Sequence, residues 1–249
     1  MASSAALPLQ QQLESQPAHL PCSLIVEYRK GQTIYDQHRR STSLYLVVEG
    51  SVKVSRIAED GREAIIEMYQ PDEFFGESAF LNLDQCSEQA TAHSNTKLMA
   101  WTTSALEEIA MQSPCVAMAL SQILVRRIVS LTERLESFNM ESIARRLARS
   151  LIRFSERQGT PEEHGWVRMP PLTHELLGQY VGTHREIVSV YMSQFRRQGF
   201  LQYSRKIILV HPESFRTWLG QKPVSSDGRT RKRAAKTPRV SPRAISSTP

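Results

Sequence analysis

The stretch that decides the fold is residues 173–199, which read THELLGQYVGTHREIVSVYMSQFRRQG. Apolar residues recur at helical spacing in two segments, and Gly182 separates the segments. Thr173 is placed to cap the first segment, and Gly199 is placed to end the second, since glycine tolerates the left-handed backbone found just beyond a helix. The stretch therefore predicts a helix, a tight turn and a second helix.

Each predicted helix has one apolar face, and Gly178 allows the two helices to approach closely. The inner residues are Leu176, Leu177 and Val181 in the first helix, and Ile187, Val188, Met192 and Phe195 in the second. Thr183 is expected to begin the second helix, and Glu186 three residues later completes the pattern of a capping box.

The chain continues with a predicted β-hairpin, Phe200–Tyr203 and Ile207–Val210, whose turn is basic. A helix-turn-helix followed by such a wing is typical of DNA-binding proteins, in which the second helix enters the major groove. The outward residues near the start of the second helix that could read bases are His184, Arg185 and Ser189. The residues that could contact the DNA backbone are Thr173, His174, Thr183, Arg196, Arg197, Arg205 and Lys206.

The front of the chain has the pattern of short strands with turn signals about every ten residues, which favours an antiparallel roll. The predicted strands are Leu24–Tyr28, 43–48, 51–57, 63–69 and 97–101. Strands first and helices afterwards predict an α+β fold with an N-terminal antiparallel β-roll, a long helix and a C-terminal winged helix-turn-helix.

Beyond Ser104 the apolar spacing changes to alternate steps of four and three, which predicts a continuous helix with one narrow seam. The seam residues are Leu124, Ile128, Leu131, Leu135 and Phe138. Two interpretations stay open: the seam pairs with a second copy in a parallel coiled coil, or it packs on the roll of its own chain. A further helix is expected over 141–157, with Ile143, Leu147, Leu151 and Phe154 on one face and Arg145, Arg149 and Arg153 on the other.

Charge divides the chain into an acidic front and a basic back. The net charge is −6 over residues 1–140, +5 over 141–221 and +7 over 222–249. A nucleic-acid partner is therefore expected for the back half. The resulting organisation is a flexible leader (1–20), a sensor roll (21–103), a dimerisation helix (104–140), a DNA-binding domain (141–221) and a disordered basic tail (222–249).

Composition narrows the class of protein further. Cys22, Cys86 and Cys115 are too widely spaced for a metal site and odd in number for a disulfide framework, so we expect reduced cysteines. No apolar run approaches the ~18 residues that span a bilayer, and Leu44–Val48 is strand-sized. The first residues lack the pattern of a secretory leader. We expect a cytoplasmic protein without a membrane span, a metal site or enzymatic activity.

Across about residues 24–218 the sequence resembles the CRP/FNR superfamily, the relatives of the cyclic-AMP receptor protein and the fumarate-nitrate reduction regulator. The resemblance is carried by Gly31, 44–54, 71–77 and the helix-turn-helix. It implies that the roll is a cyclic-nucleotide-binding-like jelly roll and that the long helix is a dimerisation helix. It further implies a homodimeric bacterial transcription regulator that binds double-stranded DNA at a pseudo-palindromic operator, with RNA polymerase as a further candidate partner. It also implies that Glu186 reads a base, and that Val190 stands where many members carry a third reading Arg.

The resemblance does not identify the effector of this protein. Gly76 and Glu77 match the pair that contacts ribose in cyclic-nucleotide binders, but Glu88 and Gln89 stand where the phosphate-binding Arg is expected. A carboxylate would repel a cyclic phosphate, so control by cyclic AMP is not expected. An iron–sulfur cluster is not expected either, since four thiolates are normally required. Haem on His38 or His93 stays open, as does a different function: a cyclic-nucleotide-binding module that controls another protein.

Overall fold

The computed structural model describes residues 24–81, 84–204 and 206–221. Within these residues the front of the chain is a β-roll of two four-stranded antiparallel sheets, ordered β1-β8-β3-β6 and β2-β7-β4-β5. The strands are β1 (Leu24–Tyr28), β2 (Thr33–Tyr35), β3 (Ser43–Glu49), β4 (Val52–Ile57), β5 (Glu63–Tyr69), β6 (Phe74–Phe75), β7 (Gln89–Ala92) and β8 (Thr96–Thr102). The α+β fold and the five predicted strands are confirmed. The sequence pattern missed β2, β6 and β7, which have two to four residues each and are too short to show a period.

Stacked aromatic rings fill the interior of the roll. Tyr45 lies 5.1 Å from Phe75 between ring centroids, and Tyr69 lies 5.3 Å from Phe75 on its other side. Tyr35 extends the stack towards the second sheet, with its ring centroid 6.1 Å from that of Tyr45. These rings pack the two sheets of the roll together.

The expected single helix from Ser104 is in fact two helices, α1 (Thr103–Gln112) and α2 (Pro114–Met140). Pro114 has no amide hydrogen to continue α1, so it starts a new helix at a position that needs no donor. The prediction of one helix over 104–140 was therefore wrong at its start.

The seam of α2 does not pack on the roll of its own chain. Leu124, Ile128, Leu131 and Leu135 are 40%, 62%, 39% and 61% exposed. A different side of α2 carries Arg127 and Arg134. The Arg127 guanidinium lies over the ring of Tyr69 in the roll, and the Arg134 guanidinium lies over the ring of Tyr180 in the DNA-binding domain. The apolar seam is consequently left open in the single chain.

Phe138, the last seam residue, also contacts the helix-turn-helix of its own chain. A Cβ atom on Gly182 would lie 2.6 Å from Phe138 Cε1, and the Arg146 guanidinium lies 4.8 Å from the ring centroid. Phe138 is still 39% exposed, the same fraction as Leu131, so its place in the seam stays a prediction.

By length and hydropathy, α2 could cross a membrane, with a mean hydropathy of 1.5 over its most apolar 18 residues. Its sequence contains no long uninterrupted apolar run, because charged residues from Arg126 onward divide the stretch. A single such helix is weak evidence for a membrane. Its contacts with the roll through Arg127 and Arg134 show that one side of the helix already packs on protein.

The back of the described chain is a winged helical domain. Its helices are α3 (Ile143–Gln158), α4 (His174–Val181), α5 (Arg185–Arg197) and α6 (Pro212–Gly220), and its sheet contains β9 (Thr160–Pro161), β10 (Val167–Met169), β11 (Leu201–Tyr203) and β12 (Ile208–Val210) in the order β11-β12-β10-β9. The predicted wing is confirmed, since Leu201 pairs with Val210 in antiparallel register. Helix α3 starts two residues later than expected, after Ser142.

The inner faces of these helices meet in one buried cluster. Leu177, Val188, Met192 and Phe195 have no exposed surface, as predicted. Ile187 was expected in the same face but is 38% exposed, so that prediction was wrong. Burial of this cluster fixes α5 against α4 and the wing, which leaves its other side free.

Candidate DNA-reading surface and sensor pocket

The turn between α4 and α5 is formed by residues close together in the chain, as the sequence predicted. The Thr173 hydroxyl accepts a hydrogen bond from the Leu176 amide at 3.1 Å, which caps α4. Gly182 has φ of 70°, a left-handed value that suits glycine. A Cβ atom on Gly178 would lie 2.8 Å from the Thr183 carbonyl oxygen, so only glycine allows this close approach.

The start of α5 differs from the expected capping box. The helix begins at Arg185, its N-cap residue is His184, and no side-chain hydrogen bond caps it. Thr183 is one position too early, and its amide instead donates to the Gly178 carbonyl at 2.9 Å. Glu186 is exposed in the first turn and is not engaged as a cap, so the prediction of a capping box was wrong.

The structure brings the four candidate base-reading residues to one end of α5. His184, Arg185 and Glu186 are exposed, and Ser189 is half-buried one turn further on. Val190, 60% exposed, presents an apolar side chain on the same helix. Exposed guanidinium and carboxylate groups at the start of a helix can pair with guanine and cytosine edges in a major groove.

His174 holds Ser189 in place across the turn. The His174 Nδ1 and Ser189 Oγ atoms are 2.8 Å apart, and the Ser189 hydroxyl donates to the Arg185 carbonyl at 3.0 Å. Since that hydroxyl proton is used, His174 donates from Nδ1. Burial lowers the pKa of His174, and the charge of Arg185 lowers it further. His174 therefore orients a candidate reading residue, a role that the sequence did not reveal.

The other candidate backbone contacts lie around this surface. Arg196 and Arg197 are exposed in the last turn of α5, with the Arg196 guanidinium 5.3 Å from the Tyr203 ring centroid. Lys206 is exposed at the wing tip, whereas Arg205 lies outside the described residues.

Replacing Glu186 with glutamine tests the role of this side chain. Because Glu186 makes no cap, we expect Glu186→Gln to leave the melting temperature unchanged. We expect it to relax specificity at one symmetric pair of operator positions, since an amide no longer selects a cytosine amino group as a carboxylate does. Competition gel shifts with single-position operator variants measure this, and wild-type ratios at every position would remove Glu186 from the reading set.

Gly76 and Glu77, two of the candidate effector residues of the roll, lie beside the stacked aromatic rings. Gly76 has φ of 89°, and a Cβ atom there would lie 2.8 Å from the Ser43 carbonyl oxygen, which explains glycine by architecture alone. The Glu77 carboxylate is engaged by Arg127 of α2, with 2.6 Å between Nε and Oε1. The residue that resembles a ribose contact is thus bound by the chain's own arginine.

A second carboxylate, that of Glu88, lies close enough to Glu77 to influence its charge. Glu88 accepts hydrogen bonds from the Tyr35 hydroxyl at 3.1 Å and the Ser78 hydroxyl at 3.5 Å. Burial raises the pKa of Glu88. Burial and the charge of Glu88 raise the pKa of Glu77 to about 7, and hydrogen bonds from the backbone amides of Glu77 and Gly76 oppose that rise. Both candidate effector residues, Glu77 and Glu88, are therefore acidic, whereas the resemblance would place an arginine at the position of Glu88.

Gln89 follows on β7, and its amide donates to the Ser55 hydroxyl at 3.4 Å. It thus faces a neighbouring strand rather than supplying the missing charge. The sequence did not point to Arg127 or Tyr35 as partners of the candidate effector residues. The sequence does contain a pattern that could have identified Arg127. Arg127 and Arg134 are seven residues apart, so they lie on one face of α2, next to the seam.

Metal-binding geometry is not found among the described residues, where no group of three or more His, Cys, Asp or Glu side chains could hold an ion. Cys86 is buried and Cys115 is exposed, and both are free, while Cys22 lies outside the described residues. The expected leader and basic tail also lie outside them.

A β-roll, a long helix and a winged helix-turn-helix in this order are the architecture of a class of DNA-binding transcription regulators. Two family models match the chain, the cyclic nucleotide-binding domain over residues 25–113 and the Crp-like helix-turn-helix domain over residues 145–218. The chain belongs to the CRP/FNR family of transcription regulators.

Relatives of known type agree with this placement. A CRP-like cAMP-activated global transcriptional regulator of Mycobacterium tuberculosis is 27% identical over 186 residues, 74% of this chain and 83% of the relative. A cyclic AMP receptor protein of Thermus thermophilus is 28% identical and covers 70% of this chain and 78% of its own. The structure of FixK2 from Bradyrhizobium japonicum superposes with a TM-score of 0.68 at 24% identity, over 78% of this chain and 96% of that one, which supports the fold.

Proposed function

We propose that this regulator acts as a homodimer that reads a pseudo-palindromic operator by placing one α5 helix per subunit in the major groove. The observation that carries the proposal is the free N-terminal end of α5, where His184, Arg185 and Glu186 are exposed together. Arg185 and Glu186 are the residue types that pair with guanine and cytosine, and the basic end of α5 and the wing tip flank them for phosphate contacts.

The open seam of α2 supports the dimer. Four seam residues, Leu124, Ile128, Leu131 and Leu135, are 39–62% exposed, so the described part of the chain does not cover this apolar stripe. Leu at d with Ile or Leu at a suits a parallel two-stranded coiled coil. Two helix-turn-helix units related by a twofold axis would bind half-sites separated by about one turn of DNA. We place the protein in the cytoplasm, with RNA polymerase as a further proposed partner.

Selection from random-sequence duplexes tests the proposal. The wild-type chain is expected to enrich an inverted repeat whose half-sites are about 10 base pairs apart between centres. The control is a chain with Arg185 and Glu186 both changed to alanine, which should bind weakly and without enrichment. If the wild-type chain recovers no sequence yet binds a cyclic nucleotide, the regulatory-module interpretation would replace this one.

We also propose that cyclic AMP does not control this protein, although the names of several relatives describe them as cAMP-activated. The argument is the charge of the candidate effector residues. Glu88 stands where an arginine would bind the cyclic phosphate, and Glu77 is already paired with Arg127. A ligand would have to break that ion pair and lie beside a second carboxylate.

Cyclic AMP and cyclic GMP at millimolar concentration are therefore expected neither to bind nor to change operator affinity. Isothermal titration calorimetry checks binding, and gel shifts with and without nucleotide check affinity. The M. tuberculosis relative serves as the positive control because its name describes it as cAMP-activated. A saturable heat with a micromolar dissociation constant would contradict the prediction.

A further inference from the structure

Glu67 on β5 is a buried carboxylate at the contact between the sensor roll and the DNA-binding domain. Its residue is 6% exposed. Its two oxygens accept from Arg153 Nη2 and Arg157 Nη1 of α3, each at 2.7 Å. A carboxylate of the roll is therefore held by two cations from the domain that carries the reading helix.

The same carboxylate also meets α2 and α4. The Tyr180 hydroxyl of α4 donates to Glu67 at 3.4 Å, and Arg134 of α2 lies 4.0 Å from it. Arg134 also donates to the carbonyls of Ile65 on β5 and Tyr180, at 3.3 Å and 3.4 Å. We call Glu67, Arg134, Arg153, Arg157 and Tyr180 the Glu67 cluster.

The electrostatics favour an ionised Glu67. Burial acts to raise its pKa, but the charges of Arg157 and Arg153, the Met68 amide and Arg134 outweigh burial, so the pKa lies below its ordinary value. Arg157 is shared with Glu73, and its guanidinium also donates to the Met68 carbonyl at 2.8 Å. Removing the Glu67 charge would leave three arginines close together with too little negative charge.

The DNA-binding domain is also held to α2 and the roll by a short link and by apolar contacts. Only residues 141 and 142 separate the end of α2 from the start of α3. Ile65 and Met68 of the roll do share a buried apolar cluster with the DNA-binding domain, and Phe138 packs on the turn. The docked arrangement leaves the reading end of α5 exposed, so docking orients this surface and does not cover it.

We propose that Glu67 is a positioning residue for operator binding: it holds the DNA-binding domain at a fixed place on α2 and the roll, so that two reading helices match the spacing of two half-sites. The inference rests on the proposed dimer and operator. Binding to a paired site gains from a second domain already in place, whereas binding to one half-site does not.

The test compares Glu67→Gln and Arg153→Gln with Glu59→Gln, which removes the same charge as Glu67→Gln from the exposed turn of the same hairpin. The probes are a full operator selected with the wild-type chain and a duplex that carries one half-site. We expect the first two variants to lose about tenfold or more in affinity for the full operator and to keep wild-type affinity for the half-site. Glu59→Gln should match wild type on both.

Small-angle X-ray scattering of the full chain without DNA gives an independent readout. A larger radius of gyration in Glu67→Gln, but not in Glu59→Gln, supports the proposal, and an unchanged radius overturns it. Equal losses on full and half-site probes, or wild-type affinity on both, would also overturn it. If the wild-type chain selects no operator, the proposed function fails while the scattering comparison still decides the docking role. Arg153→Gln keeps the test available if Glu67→Gln does not fold, since the Arg153 side chain is 28% exposed.

Discussion

Replacing Arg185 with alanine is expected to cost roughly 1–3 kcal/mol per half-site in specific binding, which for a dimer is roughly a 30-fold to 10⁴-fold loss of operator affinity. Arg185 is exposed at the first position of α5, and within the described chain its guanidinium has no ion pair or hydrogen bond. A cation at a helix N-terminus is disfavoured by the helix dipole, so folding gains nothing from it. The melting temperature should therefore stay within experimental error of wild type.

Arg185→Lys is the matched variant, because it keeps the charge and loses the planar fork that binds guanine O6 and N7 together. Gel shifts on the selected operator and on a scrambled duplex separate the two contributions. Lysine should restore non-specific binding and leave most of the specificity lost. If Arg185→Ala keeps the wild-type preference for operator over scrambled DNA, Arg185 does not read a base.

Leu131→Glu is expected to break the dimer and, with it, tight operator binding. Leu131 lies at the centre of the open seam and is 39% exposed in the single chain. In a parallel pair each copy would bring a carboxylate to the same layer, which costs several kcal/mol of association because two like charges would be buried without partners. Sedimentation at micromolar concentration should show a monomer.

Val129→Glu is the control for this variant. Val129 is 52% exposed on the same helix, at a heptad position that faces away from the seam. Val129→Glu adds the same charge as Leu131→Glu, and this variant should remain dimeric with wild-type operator affinity. A dimer that survives Leu131→Glu would show that the subunits associate elsewhere, and a monomer in both variants would indicate a helix damaged by charge alone.

Several elements of the candidate site could be read directly from the sequence, because they depend on residues close in the chain. The Thr173 cap, the left-handed Gly182 and the close approach at Gly178 are set by neighbours within a few positions, and all three were found as expected. The exposure of Arg185 and Glu186 followed from the helical period of the apolar residues opposite them.

Local patterns failed where two geometries compete within one or two residues. The pattern from Thr183 to Glu186 fits a capping box, but α5 begins at Arg185 because the Thr183 amide is used by the Gly178 carbonyl. The heptad assignment of Phe138 to the seam is a different case. Its ring contacts Gly182 but is 39% exposed, so the assignment stays a prediction.

The sequence by itself determined the roll, the long amphipathic helix and the winged helix-turn-helix. Each of these is indicated by the spacing of its apolar residues and by the turn residues at the ends of its segments. Only the tertiary structure decided which charged groups meet. Glu67 and Tyr180 are 113 residues apart in the chain, and Glu77 meets Arg127 only because α2 lies across the roll. Such pairs leave no periodic signal, because an ion pair depends on how separate elements dock, and docking is fixed by the packing of their buried faces.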